Sequence, residues 1–147
     1  MFKMQAQNQS SLKTNIDSIF NSFEGDFAIA FKIIDDETKS IFINEKMIFH
    51  AASTMKTPVM IEVFKQAAAK KFNLDDLVEI INEFKSIVDG SLYSLDITDD
   101  SGEELYNSIG KKKAIRQLVF DMITLSSNLA TNILIELVGA NNVTETM

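Results

Sequence analysis

His50-Ala51-Ala52-Ser53-Thr54-Met55-Lys56-Thr57-Pro58-Val59-Met60 is the stretch on which the reading of this chain turns. It sets a serine three positions before a lysine and then runs into Val59, Met60, Val63, Phe64 and Ala67 at helical spacing, with a break at Asn73. Residues three apart share one face of a helix, so Ser53 and Lys56 point the same way at the start of an apolar helix. Pro58 lies close enough to that start to remove at most one backbone bond. A serine hydroxyl is a poor nucleophile until a base takes its proton, and a lysine amine serves where its surroundings lower its pKa. Backbone N–H groups and the dipole at a helix start also favour developing negative charge.

Working outward, Leu12, Ile16, Ile19, Phe20 and Phe23 repeat at helical spacing, with Ser10 or Ser11 placed to cap the helix and Gly25 to end it. From Phe27 to Ile34 the period becomes that of a strand apolar on both faces. Asp35-Asp36-Glu37-Thr38 then turns the chain into Ser40-Ile41-Phe42-Ile43, a hairpin. After the Ser53 helix come a short strand at Leu77 to Ile81 and an acidic surface excursion from Asp96 to Glu104. Lys111-Lys112-Lys113 with Arg116 reads as a solvated helix start. Two helices follow, one through Ile115, Leu118, Val119, Met122 and Ile123, the next through Leu129, Ile133, Leu134, Leu137 and Val138 before Gly139. Helix, hairpin and a run of helices give an α+β order. A two-stranded hairpin is too small to be a finished sheet.

Ser-x-x-Lys alone carries little, since Ser10-Ser11-Leu12-Lys13 and Ser108-Ile109-Gly110-Lys111 also fit it. Only the copy at Ser53 falls between a hairpin and an apolar helix. A second element adds to it: Ser126-Ser127-Asn128 holds the only Ser-x-Asn in the chain and separates two apolar helices. By itself it reads as a helix N-cap, with Asn128 as the capping residue.

Taken together, the stretch His50 to Met60 and the stretch Met122 to Gly139, including Ser126-Ser127-Asn128-Leu129-Ala130-Thr131-Asn132, resemble the class A β-lactamases within the penicillin-binding serine hydrolases. That family opens with a helix and two strands before its nucleophile helix, as this chain does. The resemblance implies an α+β, β-lactamase-like (DD-peptidase-like) fold: one incomplete domain with its first helix and hairpin over about 10–44 and its helical region over about 53–147. It implies that Ser53 attacks a lactam carbonyl to form an acyl-enzyme and that Lys56 helps to remove the serine proton. Ser126 would pass a proton to the leaving nitrogen, and Asn128 would bind Lys56 and the substrate amide. The implied partner is a β-lactam or a related amide, with no metal or organic cofactor. Three features depart from the family. Ser127 stands where class A members have aspartate, and Phe84 to Leu105 is longer than the common pattern. The Lys-Thr-Gly strand and the loop carrying the deacylating glutamate do not occur in these 147 residues, which reads as a truncation and an inactive fragment.

Composition excludes several classes. A net charge of −7, from 14 basic and 21 acidic residues, repels phosphate backbones and argues against nucleic-acid binding. No apolar run approaches the roughly 20 residues of a membrane span, and Met1 to Gln9 lack the apolar core of a signal peptide. Localisation therefore stays open, exported or periplasmic only if the family habit applies, and oligomeric state is equally open. Without cysteine there is no disulfide, thiolate zinc site or cysteine nucleophile. His50, the only histidine, offers a Ser-His scheme but has no aspartate evidently placed to orient it. Asp96, Asp99, Asp100, Glu103 and Glu104 lack the spacing of a calcium loop and read as solvated. The seven methionines sit at core spacings. Two other functions fit the same residues: a module that binds β-lactam or cell-wall peptide without turnover, and a helical interaction protein in which both motifs are only caps.

Overall fold

The structure, a computed structural model, describes residues 9–147, which fall into two compact units, one ending at His50 and the other running from Ala51 to Met147. In the first unit, helix α1 (Gln9–Phe20) precedes strands β1 (Ile29–Phe31) and β2 (Ile41–Ile43). The strands pair antiparallel with Ile29 opposite Ile43 and Phe31 opposite Ile41. Phe20 stacks on Phe27 at a ring separation of 4.9 Å, and Asn44 Nδ2 donates to the Phe27 carbonyl at 3.0 Å. Asp36 shapes the turn by accepting from the Thr38 N–H and pairing with Lys39 at 2.7 Å.

Two expectations for this unit need correction. The backbone of Ser10 and Ser11 is already helical, so neither is the N-cap, and α1 stops at Phe20, ahead of Gly25. The strand is three residues long where the pattern from Phe27 to Ile34 predicts eight, because only Ile29 to Phe31 find ladder partners. Ile34 is left 90% exposed and Phe31 50% exposed.

The second unit is built around α5 (Asn128–Val138), whose Leu129, Ala130, Thr131, Ile133, Leu134 and Val138 are all buried. A helix apolar on most sides must be covered on most sides. It is covered by α2 (Lys56–Ala68), α4 (Ile115–Thr124), α6 (Ala140–Thr146) and the single turn α3 (Glu103–Tyr106). Leu118 and Met122 of α4 and Val59 and Val63 of α2 are fully buried in this core. Truncating Leu134, also fully buried, to alanine would cost about 2–5 kcal/mol.

Two small antiparallel ladders flank the helices: β3 (Leu77–Glu79) with β6 (Lys112–Ala114), and β4 (Phe84–Lys85) with β5 (Leu92–Tyr93). The first overturns the reading of Lys111 to Lys113 as a helix start. Val78 faces Lys113 across the ladder, Ile80 and Lys111 extend it at 2.8 Å, and Lys113 then reaches Asp121 at 2.6 Å. Helix α4 therefore begins only at Ile115. The bidentate pair from Arg116 to Asp75 ties its first turn to the segment leading into β3.

The inward face of α2 is also different from the apolar stripe. Phe64 is 47% exposed, and the buried positions are Lys56, Val59, Glu62, Val63 and Gln66. Glu62 and Gln66 can be inside because partners from the far end of the chain meet them. Thr146 Oγ1 donates to Glu62 Oε2 at 2.6 Å, while Gln66 Nε2 donates to Glu62 Oε1 at 2.7 Å and to the Val138 carbonyl at 2.8 Å. Gly139, with φ 84°, ends α5, but α6 follows at once and brings Thr146 to this cluster. Ile123, expected in the core, is 42% exposed.

Hydrogen bonds from Thr146 and Gln66, with Lys65 adding its charge, hold the Glu62 carboxyl at about 2 against a burial effect in the opposite direction. A carboxylate whose folded pKa is lowered contributes stability that is present above its ordinary pKa and is lost as pH falls through the folded value. Glu62→Gln is therefore expected to lower the denaturant midpoint at neutral pH. The gap between variant and parent should close between about pH 4.5 and pH 2. Denaturation curves followed by helix signal across that range test it, and a gap independent of pH contradicts it.

Candidate active site

The chain approaches Lys56 through a 3₁₀ turn, Ala52–Met55, and not through the α-helix itself. The turn keeps the one-turn relation between Ser53 and Lys56, since residues three apart eclipse one another in a 3₁₀ helix. Ser53 is exposed, and its Oγ lies 3.3 Å from Lys56 Nζ. Lys56 itself is only 4% exposed. A buried ammonium must be given oxygens, or its desolvation is uncompensated. Lys56 donates to the Ser126 carbonyl at 2.7 Å, to Ser126 Oγ at 2.9 Å and to Asn128 Oδ1 at 2.9 Å. Ser126 Oγ and Ser53 Oγ are 3.0 Å apart. The four residues singled out in the sequence thus meet around one nitrogen.

The backbone is bent to allow this. Ser126 has φ 57° and Ala52 has φ 46°, left-handed conformations that cost of order 1–3 kcal/mol each outside glycine. At Ser126 that conformation lets both the carbonyl and the hydroxyl reach Lys56. The Ser127 N–H continues the turn by donating to the Asp121 carbonyl at 3.2 Å. Ser127, not Asn128, is the N-cap of α5: its Oγ accepts from the Ala130 N–H at 3.2 Å. Asn128 is left free to act on both sides. Its Oδ1 faces Lys56 while its Nδ2 donates to the Asp99 carbonyl at 2.9 Å.

The acidic run gives the largest departure from the sequence reading. Asp100 is not solvated: it is 6% exposed and lies against the start of α5. Its Oδ2 accepts from the Leu129 N–H at 2.7 Å and from Tyr106 Oη at 3.1 Å, and its Oδ1 accepts from the Gly102 N–H at 2.8 Å. Burial pushes the Asp100 carboxyl up, but the N–H groups of Leu129, Gly102 and Asn128 and the Tyr106 hydroxyl together outweigh it, so the net direction is down. Tyr106 is correspondingly raised to about 12 by burial and by Asp100. The Lys56 amine lies below the ordinary lysine value of 10.5, chiefly through burial, with the Asp100 charge acting to hold it up. Among the described residues, no group of three or more histidine, cysteine, aspartate or glutamate side chains is arranged to hold a metal ion. No described helix is long and apolar enough to cross a membrane.

Residues 11–147 match the profile described as the beta-lactamase enzyme family. The chain belongs to that family. Among solved structures, the β-lactamase of Sphaerobacter thermophilus is similar at 29% identity with a TM-score of 0.52, over 72% of this chain and 36% of that one. The β-lactamase of Francisella tularensis is similar at 20% identity with a TM-score of 0.69, over 92% of this chain and 45% of that one, and this likeness bears on the fold alone. The α+β arrangement is thus a fragment of the β-lactamase fold. The chain spans less than half the length of either structure. Among curated proteins none matches it.

The surroundings of Lys56 in this β-lactamase-family chain make a direct prediction. Titration of the lysine ¹³Cε signals should show one lysine with its midpoint below 10.5. Asp100→Asn removes the negative charge that favours the ammonium, so that midpoint should move to still lower pH. A Lys56 midpoint at or above 10.5 contradicts the burial argument.

Proposed function

We propose that the site is the acylation centre of a class A serine β-lactamase, with Ser53 as nucleophile. The observation that carries this reading is the single amine of Lys56 within reach of two serine hydroxyls, in surroundings that lower its proton affinity. Lys56 in its neutral form takes the Ser53 proton as Ser53 Oγ attacks the lactam carbonyl carbon. The carbonyl–nitrogen bond then breaks. Ser126 Oγ gives its proton to the leaving nitrogen and recovers one from Lys56 Nζ, which leaves an acyl-serine, a ring-opened amine and a neutral lysine. Asn128, its amide fixed by Lys56 on one side and Asp99 on the other, presents a polar edge to the substrate amide.

Release of the acyl group needs an activated water. The glutamate loop and the Lys-Thr-Gly strand of the family pattern are not among these 147 residues. We infer that the 147-residue chain acylates slowly and does not turn over, and that hydrolysis belongs to a protein of its relatives' length.

Incubation of the 147-residue chain with a penicillin is expected to add the mass of the whole antibiotic at Ser53. Ser53→Ala should abolish the adduct, and Lys56→Ala should slow its formation about 10²–10⁴-fold. A folded chain that takes up no penicillin rejects the reading. Steady cephalosporin hydrolysis by the chain, lost in Ser53→Ala, would keep the nucleophile and reject the claim that it does not turn over.

A further inference from the structure

The start of α5 has more N–H donors than its own cap can serve. The first N–H groups of a helix have no partner within it, and a serine N-cap oxygen satisfies one of them. Ser127 Oγ takes the Ala130 N–H, and being 0% exposed, it has no water to call on for the rest. The Leu129 N–H is instead taken by Asp100 Oδ2 at 2.7 Å, from a segment 29 residues earlier in the chain. The Ser127 hydroxyl also turns toward the same oxygen, at 3.4 Å.

This segment is built to press on that loop. The Gly102 N–H fixes Asp100 Oδ1, and Tyr106 Oη fixes Oδ2. A Cβ on Gly102 would fall 2.6 Å from Ser127 Cβ and 2.7 Å from Ser127 Oγ, an approach that only glycine permits. The neighbouring Asp99 carbonyl takes the Asn128 amide. Residues 99–102 therefore hold Ser127, Asn128 and Leu129 together, the stretch that sets where Ser126 and Asn128 meet Lys56. A negative charge at a helix N-terminus is also favoured by the dipole.

We propose that Asp100 is a positioning residue of the active site: it supplies across space the carboxylate that Ser127 does not carry in the loop. Asp100 touches no reacting atom and acts through residues 126–128. The inference rests on the acylation reading for its rate measurement, but not for its structural one.

The test uses the full 147-residue chain, a fluorescent penicillin and amide hydrogen exchange. Asp100→Asn should retain the parent's helix signal and leave the Leu129 amide exchanging faster, and it should slow Ser53 labelling about tenfold or more when each chain is read at the plateau of its pH–rate profile, where the lowered proton affinity of Lys56 no longer counts. Asp100→Ala combined with Ser127→Asp returns a carboxylate to the loop and should recover labelling relative to Asp100→Ala. A folded double variant with no recovery overturns the proposal. So does an Asp100→Asn chain that labels within about twofold of the parent with its Leu129 amide still protected.

Should Asp100→Asn not fold, the parent decides. A protected Leu129 amide with scalar coupling to the Asp100 carboxyl carbon supports the contact, and a Leu129 amide exchanging as in an unstructured peptide overturns it. If the parent takes up no penicillin while Asp100→Asn still deprotects Leu129, the acylation reading fails and the positioning role stands.

Discussion

A lysine amine cut off from water must be surrounded by oxygens, and the second unit is arranged around meeting that demand for Lys56. Its acceptors are neutral, a carbonyl, an amide oxygen and two hydroxyls, so the amine is solvated by the protein without being locked as an ion. A direct carboxylate partner would raise its proton affinity, whereas burial alone would leave the charge uncompensated. Asp100 acts from the next layer, contributing charge without a hydrogen bond to the amine. This balance lowers the amine's proton affinity, and it depends on where residues 126–128 are held.

Those residues are held at a cost. A left-handed serine is tolerated only where its surroundings over-determine it. Lys56 binds the Ser126 carbonyl and hydroxyl, while the Asp121 carbonyl and the Asp100 carboxylate hold the residues that follow. The same logic appears at the other end of α2. There Glu62 and Gln66 are buried because Thr146 and Val138 complete their hydrogen bonds. One face of α2 thus carries two polar clusters, Lys56 and the pair Glu62 and Gln66, with Val59 between them, and each cluster joins it to a different end of α5.

What could be read from the sequence was local. Ser53 and Lys56 share a face by spacing alone, and Ser126 and Asn128 are marked by a polar break between two apolar helices. The long helices follow from apolar period. What could not be read depends on partners far along the chain. Asp100 sits in an acidic run that looks solvated, and no rule of spacing joins it to Ser127, 27 residues on. Lys112 to Ala114 has no strand pattern and becomes a strand because Leu77 to Glu79 offers a ladder. The apolar stripe chose Phe64 over Glu62, since no rule of spacing foresees that Thr146, 84 residues on, satisfies a buried carboxylate.

The distances along the chain also bear on the order of assembly. Lys56 and Ser126 are 70 residues apart, and Asp100 reaches the loop from a third stretch. Contacts of such separation pay their loop-closure entropy before they return any energy, so they form late. Until residues 126–128 close over it, the Lys56 amine is hydrated like any surface lysine. The amine therefore sheds its water only as α5 packs against α2, so the core of the unit and the chemistry of its site are closed by the same contact.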